Sequence, residues 1–229
     1  TDQPWNGPSW SVSVEFWVGV LFFFLVKKET PSIYLFLLAS LFLLIIYNKS
    51  DTGLLVINEN YYGFFNAGMI RCASLFLLGV LTYRAFLSLS ASDSLVSRVP
   101  WGALELVSLL LVAFVILARP KDISDIDMFA PPVFMFLILV FAFDRGWISR
   151  LLAKTVYLGK ISYSIYLNHV PVIYLVFHFF KPEKFGVLFC FFASYAVTLV
   201  VSHFTYQYLE QPARRKLRGW GDALEGELR

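Results

Sequence analysis

The sequence has 229 residues, of which 58% are hydrophobic and 15% are charged, whereas charged residues make up about 25% of a typical soluble domain. The formal net charge is only +3 and the charges are scattered between apolar runs, which excludes a strongly basic nucleic-acid-binding protein. The two cysteines, Cys72 and Cys190, have no partner at metal-ligand spacing, so we expect inert buried thiols and no metal site.

Apolar segments follow one another along the whole chain. A transmembrane helix needs roughly 20 mostly apolar residues, and seven segments reach or approach that length. They are about Ser9–Val26, Pro31–Tyr47, Ile70–Leu89, Trp101–Arg119, Pro131–Phe143, Ile161–Phe180 and Phe185–Tyr206. We therefore predict an all-α fold, a polytopic membrane helix bundle with about seven transmembrane helices, in a single membrane domain over residues 1–229.

The basic residues predict the orientation of these helices. With seven spans, 13 of the 19 Lys and Arg residues fall on one side and 6 on the other. The side richer in Lys and Arg is cytoplasmic in most membrane proteins, so we expect a cytoplasmic C-terminus. Residues 219–229 are polar and rich in glycine, and we expect them to form a mobile cytoplasmic tail.

The first apolar segment contains a carboxylate, Glu15, about two turns from its start. Ionisable groups at membrane depth are costly and usually functional. Two interpretations stay open: a carboxylate stabilised by the positive end of the helix dipole, or a buried carboxylate that pairs with a cation or handles a proton. Ser11 lies four residues earlier, so the two share one helix face.

Arg71 opens the third segment at the same expected depth as Glu15. It is either an anchor that reaches the interface or a partner of Glu15, if the two helices are neighbours. It begins the run Arg71–x4–Phe76–x2–Gly79, in which we expect Gly79 to permit close packing of two helices.

The sixth segment has a polar stripe. Ser162, Tyr166 and His169 follow one another at i, i+4 and i+7, so they line one face of a helix. We expect this face to turn inward and to bind a polar ligand or relay a proton. Pro171 frees a carbonyl near His169 and bends the helix. Alternatively, a neighbouring carbonyl satisfies His169. His178 and His203 are expected at the interface.

Polar residues also follow the last segment. We expect Glu210 to neutralise basic residues of the cytoplasmic loops, for instance Arg150 or Lys160. The basic run that begins at Arg214 is expected to attract anionic lipid, and the alternative is attraction of an anionic cytosolic cosubstrate.

Four stretches, in this order, resemble the acyltransferase-3 family of multispanning membrane acyltransferases. PSWSVSVEFW at Pro8–Trp17 is similar to that family's WSLSVEFW segment, and Arg71–Gly79 to its R-x4-F-x2-G helix. GKISYSIYLNHVP at Gly159–Pro171 is similar to its G-x-x-SYSLYLxHxP segment, and EQPAR at Glu210–Arg214 to its terminal E-x-P-x-R. Each motif alone is weak, but four in order are specific.

The resemblance implies a membrane O-acyltransferase. It would move an acyl group, often acetyl, from acyl-CoA to a sugar hydroxyl of a surface glycan or lipid-linked precursor, with acyl-CoA as cosubstrate and no bound cofactor. A bacterial inner membrane, its lipid and the glycan acceptor are the expected surroundings and partners. Polar residues in the first, third and sixth segments also fit a transporter or flippase-like carrier, or a purely structural subunit.

Family members begin with a helix that carries basic residues and a histidine regarded as the catalytic base. Nothing before Trp5 resembles that helix and the chain begins with Thr1, so we expect a fragment that is inactive without its missing N-terminal helices. The resemblance suggests Glu15 and His169 as catalytic residues. For substrate binding, it suggests Ser11, Arg71, Ser162, Tyr163 and Tyr166.

Overall fold

The computed structural model describes residues 9–49, 60–61, 65–118 and 125–227. Twelve α-helices lie in these ranges: α1 Ser9–Leu25, α2 Ser32–Lys49, α3 Ala67–Ser90, α4 Asp93–Arg98, α5 Trp101–Leu117, α6 Ala130–Ala142, α7 Trp147–Leu152, α8 Val156–Lys160, α9 Ser162–Phe179, α10 Pro182–Phe185, α11 Val187–Thr205 and α12 Gln211–Glu227. Two very short strands, β1 Asn60–Tyr61 and β2 Phe65–Asn66, pair antiparallel just before α3.

Each of the seven predicted segments coincides with a helix, so the all-helical class is confirmed. The number of membrane spans is not. Among the described residues, two helices are long and apolar enough to cross a membrane, Ala67–Ser90 and Val187–Trp220. A third crossing requires Asp127–Ala142 and Trp147–Lys160 to form one broken span, and three other apolar helices are shorter.

The described residues form two compact units. The first unit comprises the described residues of Ser11–Lys154, and the second comprises those of Thr155–Arg229 together with Ser9 and Trp10. In the first unit, α2 packs along α3, and α6 packs against both α3 and α5. Its core is built on the fully buried Ala39, Ile46 and Leu77. The ring of Phe22 from α1 stacks on Phe76 of α3 with 5.4 Å between the centroids.

A buried carboxylate, Glu105 of α5, fixes the start of α7. Its side chain is 0% exposed. It accepts hydrogen bonds from the backbone N–H of Gly146 at 3.0 Å, Ile148 at 2.9 Å and Ser149 at 3.3 Å, and one from the Ser149 hydroxyl. The first N–H groups of a helix lack intrahelical partners, so a carboxylate 41 to 44 residues away in the sequence caps this helix. Glu105 lies in none of the motif stretches found in the sequence.

Gly146 leaves space for that carboxylate, and this yields a first prediction. A Cβ at Gly146 would collide with the Glu105 carboxyl group, whereas a Cβ at Gly19 would meet nothing within 4 Å. We expect Gly146→Ala to lower the free energy of unfolding by roughly 1–3 kcal/mol, because overpacking forces the neighbours apart. Gly19→Ala, the control, should leave stability equal or slightly higher. Unfolding titrations in mixed micelles measure both, and equal effects of the two variants would contradict the prediction.

In the second unit, α9 packs along α11. The buried side chains of α11 recur every four residues and are small or polar: Cys190, Ser194, Thr198 and Ser202. Small residues let two helix backbones approach closely, which is the usual way that membrane helices associate. The Cys190 thiol donates to the Phe180 carbonyl at 2.9 Å, so this cysteine is buried inside the unit.

The chain continues from α11 through a five-residue π-helical turn, Tyr206–Glu210, into α12. The described part of the C-terminal region is helical to Glu227, and the mobility expected for residues 219–229 stays a prediction. On α12, Leu217 is 62% exposed and Trp220 is 66% exposed. The expected attraction of the basic run to anionic lipid also stays a prediction.

Candidate functional site

Glu210 joins two of the motif stretches in the second unit. Its Oε2 accepts a hydrogen bond from the Ser164 hydroxyl at 2.7 Å, and its Oε1 lies 2.7 Å from Nη2 of Arg214. The Glu210 side chain is only 8% exposed, whereas Arg214 is 59% exposed. Within the second unit, Glu210 therefore pairs with Ser164 and Arg214 rather than with Lys160, and the expected pairing with Arg150 stays a prediction. A residue four positions along a helix lies closer than a distant loop.

A second polar contact continues this line between α9 and α11. The Asn168 side-chain amide donates to the Ser164 carbonyl at 2.8 Å and contacts the Thr205 hydroxyl at 3.1 Å. The Thr205 hydroxyl donates to the Val201 carbonyl at 2.9 Å. We call Ser164, Asn168, Thr205, Glu210 and Arg214 the polar seam. It consists of side chains that can hold a polar group by hydrogen bonds and charge.

The π-helical turn is what places Glu210 in the polar seam. A π-turn fits one extra residue into the helix, and such turns occur often at functional sites. Tyr206–Glu210 forms this turn directly after the apolar α11. The side chains after the turn are therefore rotated relative to a regular α-helix, and Glu210 faces Ser164 of α9.

The predicted stripe occupies a different face of α9. Ser162, Tyr163 and Tyr166 are exposed, with 42% exposure for Tyr163 and 40% for Tyr166. His169 is half-buried, and its Nδ1 lies 2.6 Å from the Tyr166 carbonyl oxygen. A neighbouring carbonyl thus satisfies this histidine, as in the second interpretation. Two residues along a helix correspond to about 200°, which separates the face of Ser162 from that of Ser164.

A tyrosine–histidine pair lies elsewhere in the second unit. The hydroxyl of Tyr157 is 2.5 Å from Nδ1 of His203, and the ring of Tyr206 is 6.5 Å from that of Tyr157. His203 was expected at the interface, without a specific partner. A phenol bonded to an imidazole can pass a proton in principle, and its only sequence signal was a lone histidine near the end of an apolar segment.

In the first unit, the helices that carry Glu15 and Arg71 are neighbours, as the stacking of α1 on α3 shows. The thiol of Cys72 interacts electrostatically with both Glu15 and Arg71, so both charges lie near it. Glu15 is exposed and Arg71 is half-buried, so the described residues do not bury the Glu15 carboxylate. Ser11 is half-buried.

Arg71 also lines a cavity of about 540 Å³ between α3 and α6. Gly79 lines the same cavity, and a Cβ added to it would meet nothing within 4 Å. The expectation that Gly79 permits close packing of two helices is therefore wrong for the described part of the chain, because none of its residues lies within 4 Å of a Cβ added at Gly79. Within the described residues, no group of three or more His, Cys, Asp or Glu side chains is placed to hold a metal ion.

Comparison with known proteins identifies the family of the chain. Residues 1–206 match the family described as "Acyltransferase domain". The chain belongs to the acyltransferase-3 family. Membership and the apolar helices together indicate a membrane protein. The motif stretches of this acyltransferase-3 chain thus carry the polar seam in the second unit, and Glu15 and Arg71 in the first.

Relatives of this acyltransferase-3 chain include proteins of Staphylococcus aureus strains COL, MSSA476 and N315, each named "Putative O-acetyltransferase". Each is 26% identical over 118 residues, which is 50% of this chain and 19% of the relative. The matched region thus spans about a fifth of the length of these relatives. No solved structure shows a significant match.

Proposed function

We propose that this chain is part of a membrane O-acyltransferase that moves an acyl group, most simply acetyl, from acyl-CoA to a sugar hydroxyl of a surface glycan or lipid-linked precursor. The match of residues 1–206 to an acyltransferase domain carries the proposal. The names of the staphylococcal relatives support an acetyl group. The excess of basic residues on one predicted side supports a cytoplasmic C-terminus, and a bacterial inner-membrane location is part of the proposal.

The reaction has simple requirements. The acceptor hydroxyl oxygen attacks the thioester carbonyl carbon, the carbon–sulfur bond breaks, and coenzyme A leaves as a thiolate that takes up a proton. A base must remove the hydroxyl proton, and donors must hold the negative charge that develops on the carbonyl oxygen. A sheltered site keeps water from hydrolysing the thioester.

We assign the chain's polar residues to these tasks. Glu15 and His169 are the proposed catalytic groups, and Ser11, Arg71, Ser162, Tyr163 and Tyr166 the proposed substrate-binding residues. Glu15 and Arg71 lie on the neighbouring helices α1 and α3, which supports a joint role for those two charges. To these we add Glu210, which positions Ser164 and Arg214 through its two oxygens.

Release of coenzyme A tests the proposed activity. Membranes that contain the full-length gene product are given acetyl-CoA and extracted surface glycan, and free thiol is followed with a chromogenic reagent. We expect thiol release that depends on both the protein and the glycan. Movement of a sugar precursor across the membrane of sealed vesicles, without any thiol release, would instead favour a transporter or flippase-like carrier.

Glu15→Gln provides the matching variant. We expect turnover to fall by about 100-fold or more, in line with the usual ~10²–10⁴-fold contribution of acid–base groups, while the amount of folded protein in the membrane stays unchanged. The control is Glu29→Gln, because Glu29 is exposed in the turn between α1 and α2. An equal loss of turnover and folded protein in Glu15→Gln would make Glu15 a structural residue.

A further inference from the structure

Two residues of the Arg71–x4–Phe76–x2–Gly79 run face the same cavity, and the third faces away from it. Arg71 and Gly79 line the space between α3 and α6, while Phe76 stacks on Phe22 of α1. Since a Cβ at Gly79 would touch nothing within 4 Å, the glycine is not required by packing. Its effect is to keep the cavity wide at that level.

The cavity is polar at one end and apolar along its length. Arg71 of α3 and Asp127, which precedes α6, lie at the same end. Beyond them the walls are aliphatic and aromatic, for example Leu75, Phe134 and Ile138. Among the described lining residues, the one further polar group, the Thr82 hydroxyl, already donates to the Leu78 carbonyl at 2.9 Å. The described residues beyond Arg71 and Asp127 thus offer a sugar no free hydrogen-bond donor, and burying its hydroxyl groups unpaired is costly, so the interior suits hydrocarbon.

The dimensions of the cavity fit one lipid chain. Arg71 and Thr82 are eleven residues apart on α3, which is roughly 16 Å at ~1.5 Å per residue. One leaflet contributes about half of the ~30 Å hydrocarbon core, so the cavity is as long as one leaflet is deep. The cavity has a volume of about 540 Å³ and is partly open to its surroundings.

We propose that this cavity binds one acyl chain of a membrane phospholipid, with the lipid phosphate at Arg71. Guanidinium groups bind phosphate oxygens in a bidentate way and give up water more readily than ammonium groups do. Arg71 and Asp127 both interact with other groups of the protein, so the phosphate adds to the existing contacts of Arg71. The site shares Arg71 with the proposed substrate-binding residues, but lipid binding there does not require acyl transfer.

Photolabelling of the full-length gene product in phosphatidylethanolamine vesicles tests this site. The probe is a phospholipid with a diazirine in one acyl chain, and labelled peptides of α3 and α6 are quantified against those of α11, whose Leu188 is 74% exposed. We expect Gly79→Leu to lower the normalised labelling by about tenfold, because the leucine side chain would displace several buried methylene groups of the lipid chain. Gly19→Leu is the matched control, since a Cβ at Gly19 also meets nothing within 4 Å. Equal labelling of the two variants would overturn the site.

Three further experiments test the wall opposite α3, the phosphate contact and the identity of what fills the cavity. If Gly79→Leu does not fold, Ile138→Trp narrows the cavity from the opposite wall, where Ile138 is 57% exposed. Arg71→Gln should lower labelling by the phospholipid but not by the matching diacylglycerol, which lacks phosphate; equal effects would remove the phosphate from the proposal. A benzophenone side chain at residue 138 should cross-link to lipid, and a cross-link to another segment of the protein would show that protein fills the cavity.

Discussion

Replacing Glu105 with alanine is expected to lower the free energy of unfolding by roughly 4 kcal/mol or more, because a buried capping group is lost. The carboxylate is 0% exposed and accepts from three backbone N–H groups and one hydroxyl. Alanine leaves all four donors buried without a partner, and each unsatisfied donor costs about 1–3 kcal/mol. Unfolding titrations in mixed micelles, read by helical circular dichroism, measure the change.

Graded variants separate this cap from general sensitivity of the first unit. Ser149→Ala removes one of the four donors and should cost about 1 kcal/mol. Glu29→Ala removes an exposed carboxylate of the same unit and should change stability by less than ~0.5 kcal/mol. If Glu105→Ala and Glu29→Ala were equally stable, the cap would not hold α7 in the membrane-embedded protein.

Replacing Glu210 with glutamine is expected to lower the turnover of acyl transfer by about tenfold or more, which corresponds to ~1.4 kcal/mol in the barrier. The amide can still accept from Ser164 but loses its ionic contact with Arg214. The polar seam then keeps the hydrogen bond from Ser164, but the positive charge of Arg214 has no negative partner at Glu210. Steady-state kinetics in membranes of the full-length protein give kcat and KM separately.

If Glu210 had a purely structural role, Glu210→Gln would affect the amount of folded enzyme instead of kcat. A positioning role lowers kcat and leaves the unfolding midpoint nearly unchanged, whereas a structural role lowers the amount of folded enzyme and leaves kcat per folded molecule intact. Glu183→Gln serves as the control, because Glu183 is an exposed carboxylate of the same unit. Full kcat in Glu210→Gln would remove Glu210 from the proposed site.

The helices could be predicted from the sequence because apolar runs bounded by polar residues leave few alternatives. The number of membrane spans could not be predicted from the apolar runs in the same way. The helix α1 has 17 residues, about 25 Å at ~1.5 Å per residue, against a hydrocarbon core of ~30 Å. An apolar run therefore predicts a helix more securely than it predicts a full crossing.

The face of a helix is harder to predict than its position. In α9 both Ser162 and Ser164 begin polar series at helical spacing, and Ser162 leads to Tyr166 and His169. The structure buries Ser164 and exposes Ser162, because Ser164 and Asn168 meet partners on α11 and in the π-helical turn. A regular 3.6-residue period contains no information about a π-turn 40 residues later, so Glu210 could not be placed against Ser164.

Glu105 shows what kind of signal was missed. It is a lone carboxylate in the apolar segment Trp101–Arg119, and such a residue at membrane depth marks a functional or structural site. Its partners lie more than 40 residues away, so the residue could have been found from the sequence but not its contacts. Gly79 could likewise be found from the sequence, but the cavity beside it could not, because that cavity depends on where α6 lies relative to α3.

The covalent fate of a labelled acyl group tests the proposed acyl transfer most directly. Acetyl-CoA labelled with ¹³C in its acetyl group is supplied to membranes that contain the full-length protein, and the glycan fraction is analysed by mass spectrometry before and after mild alkali. We expect labelled acetyl groups in ester linkage to a sugar hydroxyl, removable by alkali and absent from membranes without the protein. A glycan that stays unlabelled while the folded protein and both substrates are present would contradict the proposed acyltransferase function.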